Sequence, residues 1–475
     1  MKITKKALII ILVSVLTPIL AFSAFAGTTY ALYKADKKAV IILPGLFASG
    51  LYDVETGKGV WDPFGDAEIN FYDIMDQTGS IKTTQIAGLL IKYQDVLLPE
   101  IDKLMANDNY GASDSLFNMM AMNEDGTAVN PNVQAAPWSI DNRLKYGVIN
   151  ANKLMYDSYN QAFGKYYDVQ VFNYDFRMDN RQSAQKLEEY INKMGYTEII
   201  LVSHSNGGQV AAAYLARSKE NRKKVTKYIS YSAPYYGSFA AIDILENVDI
   251  MIGGFKKSIG KILPTLAKNI EEIFNKQFTT FLNIWTAYQL LPTYELLQNE
   301  YNGEHAGIFI DGQRVTFESE EDLWDFYCSR PFARTSDGEL REPMKQWLNY
   351  VDSIKVTLDS GEKVLSTSLV DTVYFSGMNV DTVNRVNYMT HGDEIKLFEV
   401  FRTPQGDGTV LYASAVGMTE DQSSIRLADG INHYGVNVNF KGGFEEKTVE
   451  AISSSVKKNT DWYYKLWSNI LRDNK

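Results

Sequence analysis

The sequence predicts an α/β fold, a mostly parallel central sheet with helices on both faces. Three observations carry this. Ala39-Val40-Ile41-Ile42-Leu43 and Ile199-Ile200-Leu201-Val202 are short apolar runs rich in β-branched residues, as strands buried on both faces are. Helical patterns alternate with strand-length runs between residues 148 and 232, the spacing that gives parallel pairing. Between the second run and the helix-forming Val210-Ala211-Ala212-Ala213-Tyr214-Leu215-Ala216-Arg217 lies Ser203-His204-Ser205-Asn206-Gly207. That is a G-x-S-x-G nucleophile elbow with serine in the first glycine's slot. The slot demands a tiny side chain, and serine is the next choice after glycine or alanine.

Taken in order, the N-terminus reads as an address. Lys2, Lys5 and Lys6 precede an apolar stretch, Ala7 to Phe25, and Ala24-Phe25-Ala26 fits the A-x-A cleavage rule. Residues 1–26 are therefore expected to be a signal peptide. An uncleaved membrane anchor is the rival, since a span needs about 20 apolar residues. Either way the body lies outside the cytoplasm, secreted or anchored. Cleavage would take the net charge from −11 to −14.

Lys38 to Leu43 is a strand ended by Pro44-Gly45, and the loop Leu46-Phe47-Ala48-Ser49-Gly50 follows. Residues 51–145 mix aromatics with Asp and Asn and read as a covering insertion with a helix near Gln94 to Met105. Asn123-Glu124-Asp125-Gly126 resembles a calcium loop, but Ala121 stands in the first ligand slot. Val148 to Phe163 is a helix and Asp168 to Asn173 a strand. A helix from Arg181 to Met194 is capped by Asp179 or Asn180 and stopped by Gly195. Lys227 to Ser232 is the next strand.

Residues 241–365 break this rhythm. Apolar side chains recur at helical spacing from Phe255 to Phe274 and again from Phe278 to Leu291, which predicts an inserted, mainly helical cap. The sheet resumes at Thr372 to Phe375, and Ile395 to Val400 is a further strand. A C-terminal helix, Glu445 to Lys457, closes the chain. The expected division is a core from 27–240 and 366–475 around the cap.

Composition excludes several classes. A hydrophobic content of 45% supplies a large core. The acidic balance, with no basic cluster after the start, argues against nucleic acid. The single cysteine, Cys328, rules out an intrachain disulfide and a cysteine-based zinc site. No cofactor, metal or protein partner is implied.

The chemistry follows from the elbow. Serine is a poor nucleophile until a base takes its proton. The base is normally a histidine oriented by a carboxylate, and behind an elbow the chain order is nucleophile, acid, histidine. Ser205, Asp407, His433 obeys that order. Of the other histidines, His204 lies beside the nucleophile and is expected to point elsewhere, His305 sits in the cap, and His391 precedes Asp407. Asp407 is favoured by its flanking glycines, which expose the turn; Asp381, also after a strand, is its rival. The oxyanion donors are expected to be the backbone N–H groups of Asn206, at the helix start, and Leu46, after the first strand.

These pieces resemble the lecithin:cholesterol acyltransferase family, which includes lysosomal phospholipase A2 and phospholipid:diacylglycerol acyltransferases. Matching, in family order, are Leu43-Pro44-Gly45, Tyr174-Asp175-Phe176-Arg177, the elbow, Ala233-Pro234-Tyr235-Tyr236-Gly237, Ala287-Tyr288-Gln289-Leu290-Leu291-Pro292, Gly406-Asp407-Gly408-Thr409-Val410 and Gly430-Ile431-Asn432-His433. Phe176 replaces the family's tryptophan, Leu46-Phe47 differs from the eukaryotic loops, and no cysteines match the lid disulfide of secreted animal members. The chain looks like a bacterial, secreted member. The resemblance implies an α/β-hydrolase fold and acyl transfer from an ester lipid, a phospholipid or acylglycerol at a membrane or micelle surface, to water or an alcohol. Asp175 and Arg177 are expected to form a structural ion pair. Two alternatives remain: amide or thioester hydrolysis on the same triad, and a non-enzymatic surface binding protein of this fold.

Overall fold

The computed structural model describes residues 37–57, 59–61, 119–136, 150–246, 282–301, 304–433 and 435–438. The expected signal segment, the expected helix near Gln94, the apolar run from Phe255 to Phe281 and the expected C-terminal helix lie outside these residues. Among the described residues, no helix is long and apolar enough to cross a membrane.

The first half alternates as its pattern requires. Strand β1 (Lys38–Leu43) is followed by α1 (Asn150–Phe163), β2 (Asp168–Val171), α2 (Asn180–Met194), β3 (Glu198–His204), α3 (Asn206–Arg217), β4 (Val225–Tyr231) and α4 (Phe239–Glu246). Helix α2 starts where the Asp179 carboxylate accepts the Arg181 N–H at 2.8 Å and stops at Gly195, whose φ of 71° an L side chain would resist. After the inserted stretch come β7 (Thr372–Met378) and β10 (Ile425–Asp429).

These strands form one sheet in the order β10-β7-β4-β3-β1-β2, every neighbouring pair parallel. Leu43 pairs with Ser203 and His204 with Tyr231, so the carboxyl ends of β1, β3 and β4 lie level. The alternation of side chains divides the core. Ala39, Ile41, Leu43, Ile199 and Leu201 face Leu187 and Ile191 of α2 and Val210 and Tyr214 of α3. Val40, Ile42, Ile200 and Val202 face Met155, Tyr159 and Phe163 of α1. With helices on both faces and the serine turn at the end of its central strand, this is the α/β-hydrolase fold.

The inserted stretch in its described part carries more helix than strand, and its strands add to the expected helices. It holds the short helices α5 (Trp285–Gln289), α6 (Glu320–Cys328) and α7 (Trp347–Ser353), and strands β5 (Gly307–Ile310) and β6 (Gln313–Arg314). These two strands join the hairpin β8 (Thr382–His391) and β9 (Glu394–Thr403) in a second sheet of order β6-β5-β8-β9. Residues on both sides of position 366 thus share one sheet. Around it, Phe239, Tyr288, Leu323, Tyr327, Trp347 and Tyr388 form a second apolar core. Trp285, whose helical spacing marked it for the cap, is buried and donates from Nε1 to the Gly126 carbonyl at 2.8 Å.

Candidate active site

The turn after β3 is held open by backbone contact. Ser205 has φ 54° and ψ −128°, a conformation costly for a residue with a Cβ. Its N–H donates to the Tyr231 carbonyl at 2.9 Å, which locks the turn to the end of β4. A Cβ at Gly207 would sit 2.4 Å from the Leu43 carbonyl oxygen, so only glycine lets α3 start this close to β1. Ser205 itself is half-buried at this end of the sheet. Asn206 opens α3, so its N–H belongs to the first-turn donors that have no intrahelical acceptor.

Sequence reasoning named Asn180, Asn206 and Tyr174 in other roles but missed the side-chain network by which they fix this end. Asn206 and Asn180 exchange amide hydrogen bonds of 3.1 and 2.9 Å across the starts of α3 and α2. The Asn206 amide also donates to Tyr174 OH at 3.1 Å, and that hydroxyl donates to the Pro44 carbonyl at 2.7 Å. The chain carrying Leu46 is thereby tied to the elbow. Their placement in the Tyr174–Arg177 motif and at a helix cap was the available signal. Asp175 and Arg177 form the expected ion pair: Nη2 to Oδ2 is 2.7 Å and Nε to Oδ1 is 2.9 Å. The rest of the guanidinium donates to the carbonyls of Met119 and Val133, each at 3.1 Å. It pins the segment 119–136 to the core.

Asp407 and His433 come together. Asp407 is completely buried, and its Oδ1 accepts the N–H groups of Thr409 at 3.0 Å and Val410 at 2.8 Å. Its Oδ2 lies 2.8 Å from His433 Nδ1, and its backbone carbonyl accepts the His433 N–H at 2.8 Å. Both loops need Gly377 at the end of β7: a Cβ there would fall 2.8 Å from the Asp407 Cβ and 2.0 Å from the Ile431 carbonyl oxygen. Burial alone would raise the Asp407 carboxyl, but the His433 imidazole and the Val410 N–H hold it below the usual carboxylate range. An ionised carboxylate only accepts, so the proton of a neutral His433 sits on Nδ1 and leaves Nε2 as the basic nitrogen.

The remaining polar residues separate by environment. Asp381 is exposed, with its backbone carbonyl accepting from Arg402. His391 is exposed, and His305 lies 3.1 Å from Glu300. His204 does not point away as its sequence position suggested. Its ring lies 4.8 Å from the His433 ring, and its Nε2 lies 2.9 Å from the His433 carbonyl oxygen. His204 keeps the alternation of β3, on the face of Ile200 and Val202 and in register with Tyr231, and the segment that carries His433 folds back onto that face, which the local sequence does not record. Asn123–Gly126 forms a tight turn in which Asp125 accepts from the Thr127 N–H at 2.9 Å.

Residues 156–359 match the family model of lecithin:cholesterol acyltransferase. That segment contains the elbow and the Tyr174–Arg177 and Ala287–Pro292 motifs, whereas Asp407 and His433 lie beyond it. No curated protein matches the chain. Among solved structures, the chain is similar to one from the Tle4–Tli4 complex at 12% identity, covering 89% of this chain and 98% of that one with a TM-score of 0.47. Bacillus licheniformis lipase BlEst2 in its mature form is similar at 13% identity, over 60% of this chain and 79% of that one, with a TM-score of 0.25.

Proposed function

We propose that this chain, a lecithin:cholesterol acyltransferase-like family member by its residues 156–359, is a serine acyl hydrolase or O-acyltransferase of ester lipids. The observation that carries the reading is the buried 2.8 Å pair of Asp407 and His433, on the loops that follow β9 and β10, together with the strained Ser205 turn after β3. In this reading Ser205 Oγ attacks the ester carbonyl carbon and its proton passes to His433 Nε2. The Asp407 carboxylate stabilises the imidazolium, and the N–H groups of Leu46 and Asn206 hold the oxyanion. Collapse breaks the ester C–O bond, and the departing alcohol takes the proton from His433. Water or a second alcohol, deprotonated by His433, then releases the acyl group from Ser205.

The substrate class follows from the family and from the strong apolar character of the inserted stretch. Each buried methylene is worth about 0.8 kcal/mol, so an acyl groove favours long chains over acetate. The protein would act outside the cytoplasm, with residues 27–240 and 366–475 as the hydrolase core and 241–365 as its cap. The test is product analysis after incubation with a mixed lipid extract, beside ester and amide panels and a fluorophosphonate probe. Ser205→Ala should stay folded, lose labelling and cut turnover by roughly a million-fold. Ser205→Ala activity within tenfold of wild type would sink the assignment, and amide turnover without ester turnover would move the substrate class.

A further inference from the structure

His433 is held by Asp407 at two points and by His204 at another. The carboxylate holds the imidazole Nδ1, and the Asp407 carbonyl holds the His433 N–H. A further point is the His433 carbonyl oxygen, 2.9 Å from His204 Nε2. A carbonyl oxygen can only accept, so His204 carries its proton on Nε2. We propose that His204 is a positioning residue for the acyl transfer at Ser205, donating from Nε2 to the His433 carbonyl and so fixing the base's loop against the elbow. The proposal rests on the acyl-transfer reading for its kinetic consequence, though the grip itself does not.

Three features support a role beyond filling space. His204 is buried, and a side chain with a polar ring in that place is retained at a desolvation cost unless its hydrogen bond has a use. Burial, then the proximity of His433, pushes its pKa down to about 3, so the ring is neutral wherever the base is competent. A cation 4.8 Å from the His433 ring would oppose formation of the imidazolium, and a neutral donor avoids that repulsion. The other side of the ring meets the Gly45 turn, where a Cβ would fall 3.0 Å from Nδ1. His204 thus touches the loop that carries Leu46 on one side and the loop that carries His433 on the other, from the position next to Ser205.

The test uses His204→Leu, which keeps the bulk without the donor, His204→Gln, whose amide nitrogen reaches the place of Nε2, and His204→Asn, whose amide reaches only the place of Nδ1. Leu and Asn should lower kcat on a soluble short-chain ester by about ten- to hundredfold, the scale of a small misplacement of a reacting group, with KM moved less than about threefold. The His433 amide hydrogen should exchange about tenfold faster in both, as a loosened local structure would. Gln should recover most of both quantities. A Leu variant with unchanged kcat and unchanged exchange would overturn the proposal, as would a Gln variant no better than Leu. Should Leu fail to fold, the Gln and Asn pair decides in the same way. If wild-type turnover does not depend on Ser205, the acyl-transfer reading fails, and the exchange measurement still decides whether His204 holds the loop.

Discussion

The Ser203 hydroxyl lies 2.7 Å from the Tyr228 hydroxyl, beneath the elbow and out of contact with water. Tyr228 OH lies 2.7 Å from Tyr235 OH, which donates to Ser230 Oγ at 2.7 Å. The residue in the elbow's first small slot is therefore a member of a buried hydrogen-bonded chain that ties β3 to β4 and to the Ala233–Gly237 turn. Removing one member leaves a buried hydroxyl poorly satisfied, at about 1–2 kcal/mol. Ser203→Ala should lower unfolding stability by about that amount in urea, and Tyr228→Phe should do likewise. Because the two share one bond, the double variant should lose less than the sum. Strict additivity would mean that the chain is not coupled.

Asp407 and Asp381 separate cleanly in the structure. Asp407→Asn should lower turnover by roughly ten-thousand-fold, through loss of the imidazole's tautomer and orientation. Asp381→Asn, on an exposed side chain, should leave turnover within about twofold, as surface substitutions do. Turnover assays of both variants decide it, and the reverse pattern would make Asp381 the acid.

Gly207 is a test of the elbow's backbone. A Cβ placed 2.4 Å from the Leu43 carbonyl forces β1 and α3 apart. Gly207→Ala should destabilise the protein by about 1–3 kcal/mol, as overpacking does. It should also slow fluorophosphonate labelling of Ser205, since the shift passes directly to the turn. Labelling at the wild-type rate would show that the turn tolerates the separation.

Acid should weaken the fold through His204. The unfolded chain binds a proton on this histidine below about pH 6.5. The folded chain does so only near its depressed value of about 3. Between these limits the unfolded state holds more protons, so the stability present above pH 6.5 is lost as pH falls toward 3, by on the order of a few kcal/mol. Asp407, also depressed, adds to the loss at the acid end of the range. Urea midpoints measured from pH 7 to pH 4 should fall more steeply for wild type than for His204→Gln. Parallel curves would remove His204 as the cause.

What the sequence by itself determined is local. The runs Ala39–Leu43 and Ile199–Val202 could be nothing but doubly buried strands, because polar side chains are absent from both faces. The elbow was legible because it needs small residues at fixed offsets, and the Gly406-Asp407-Gly408 turn because glycine permits its backbone. Tertiary structure decided the rest. Strand β8 buries Asn384 and Asn387, and bulges interrupt its pairing with β9, so no alternation marked β8 or its union with β5, and only the Ile395–Val400 part of the hairpin was legible. Trp285 carried the pattern of a lid residue and is instead bonded to Gly126, far away in the chain. His204 stays on the face of Ile200 and Val202, and what meets it there is His433, 229 positions distant. A periodic pattern records which side of an element is apolar. Where the element ends, the partner that meets each side chain is set by chain folded back from elsewhere, and no local rule carries that information.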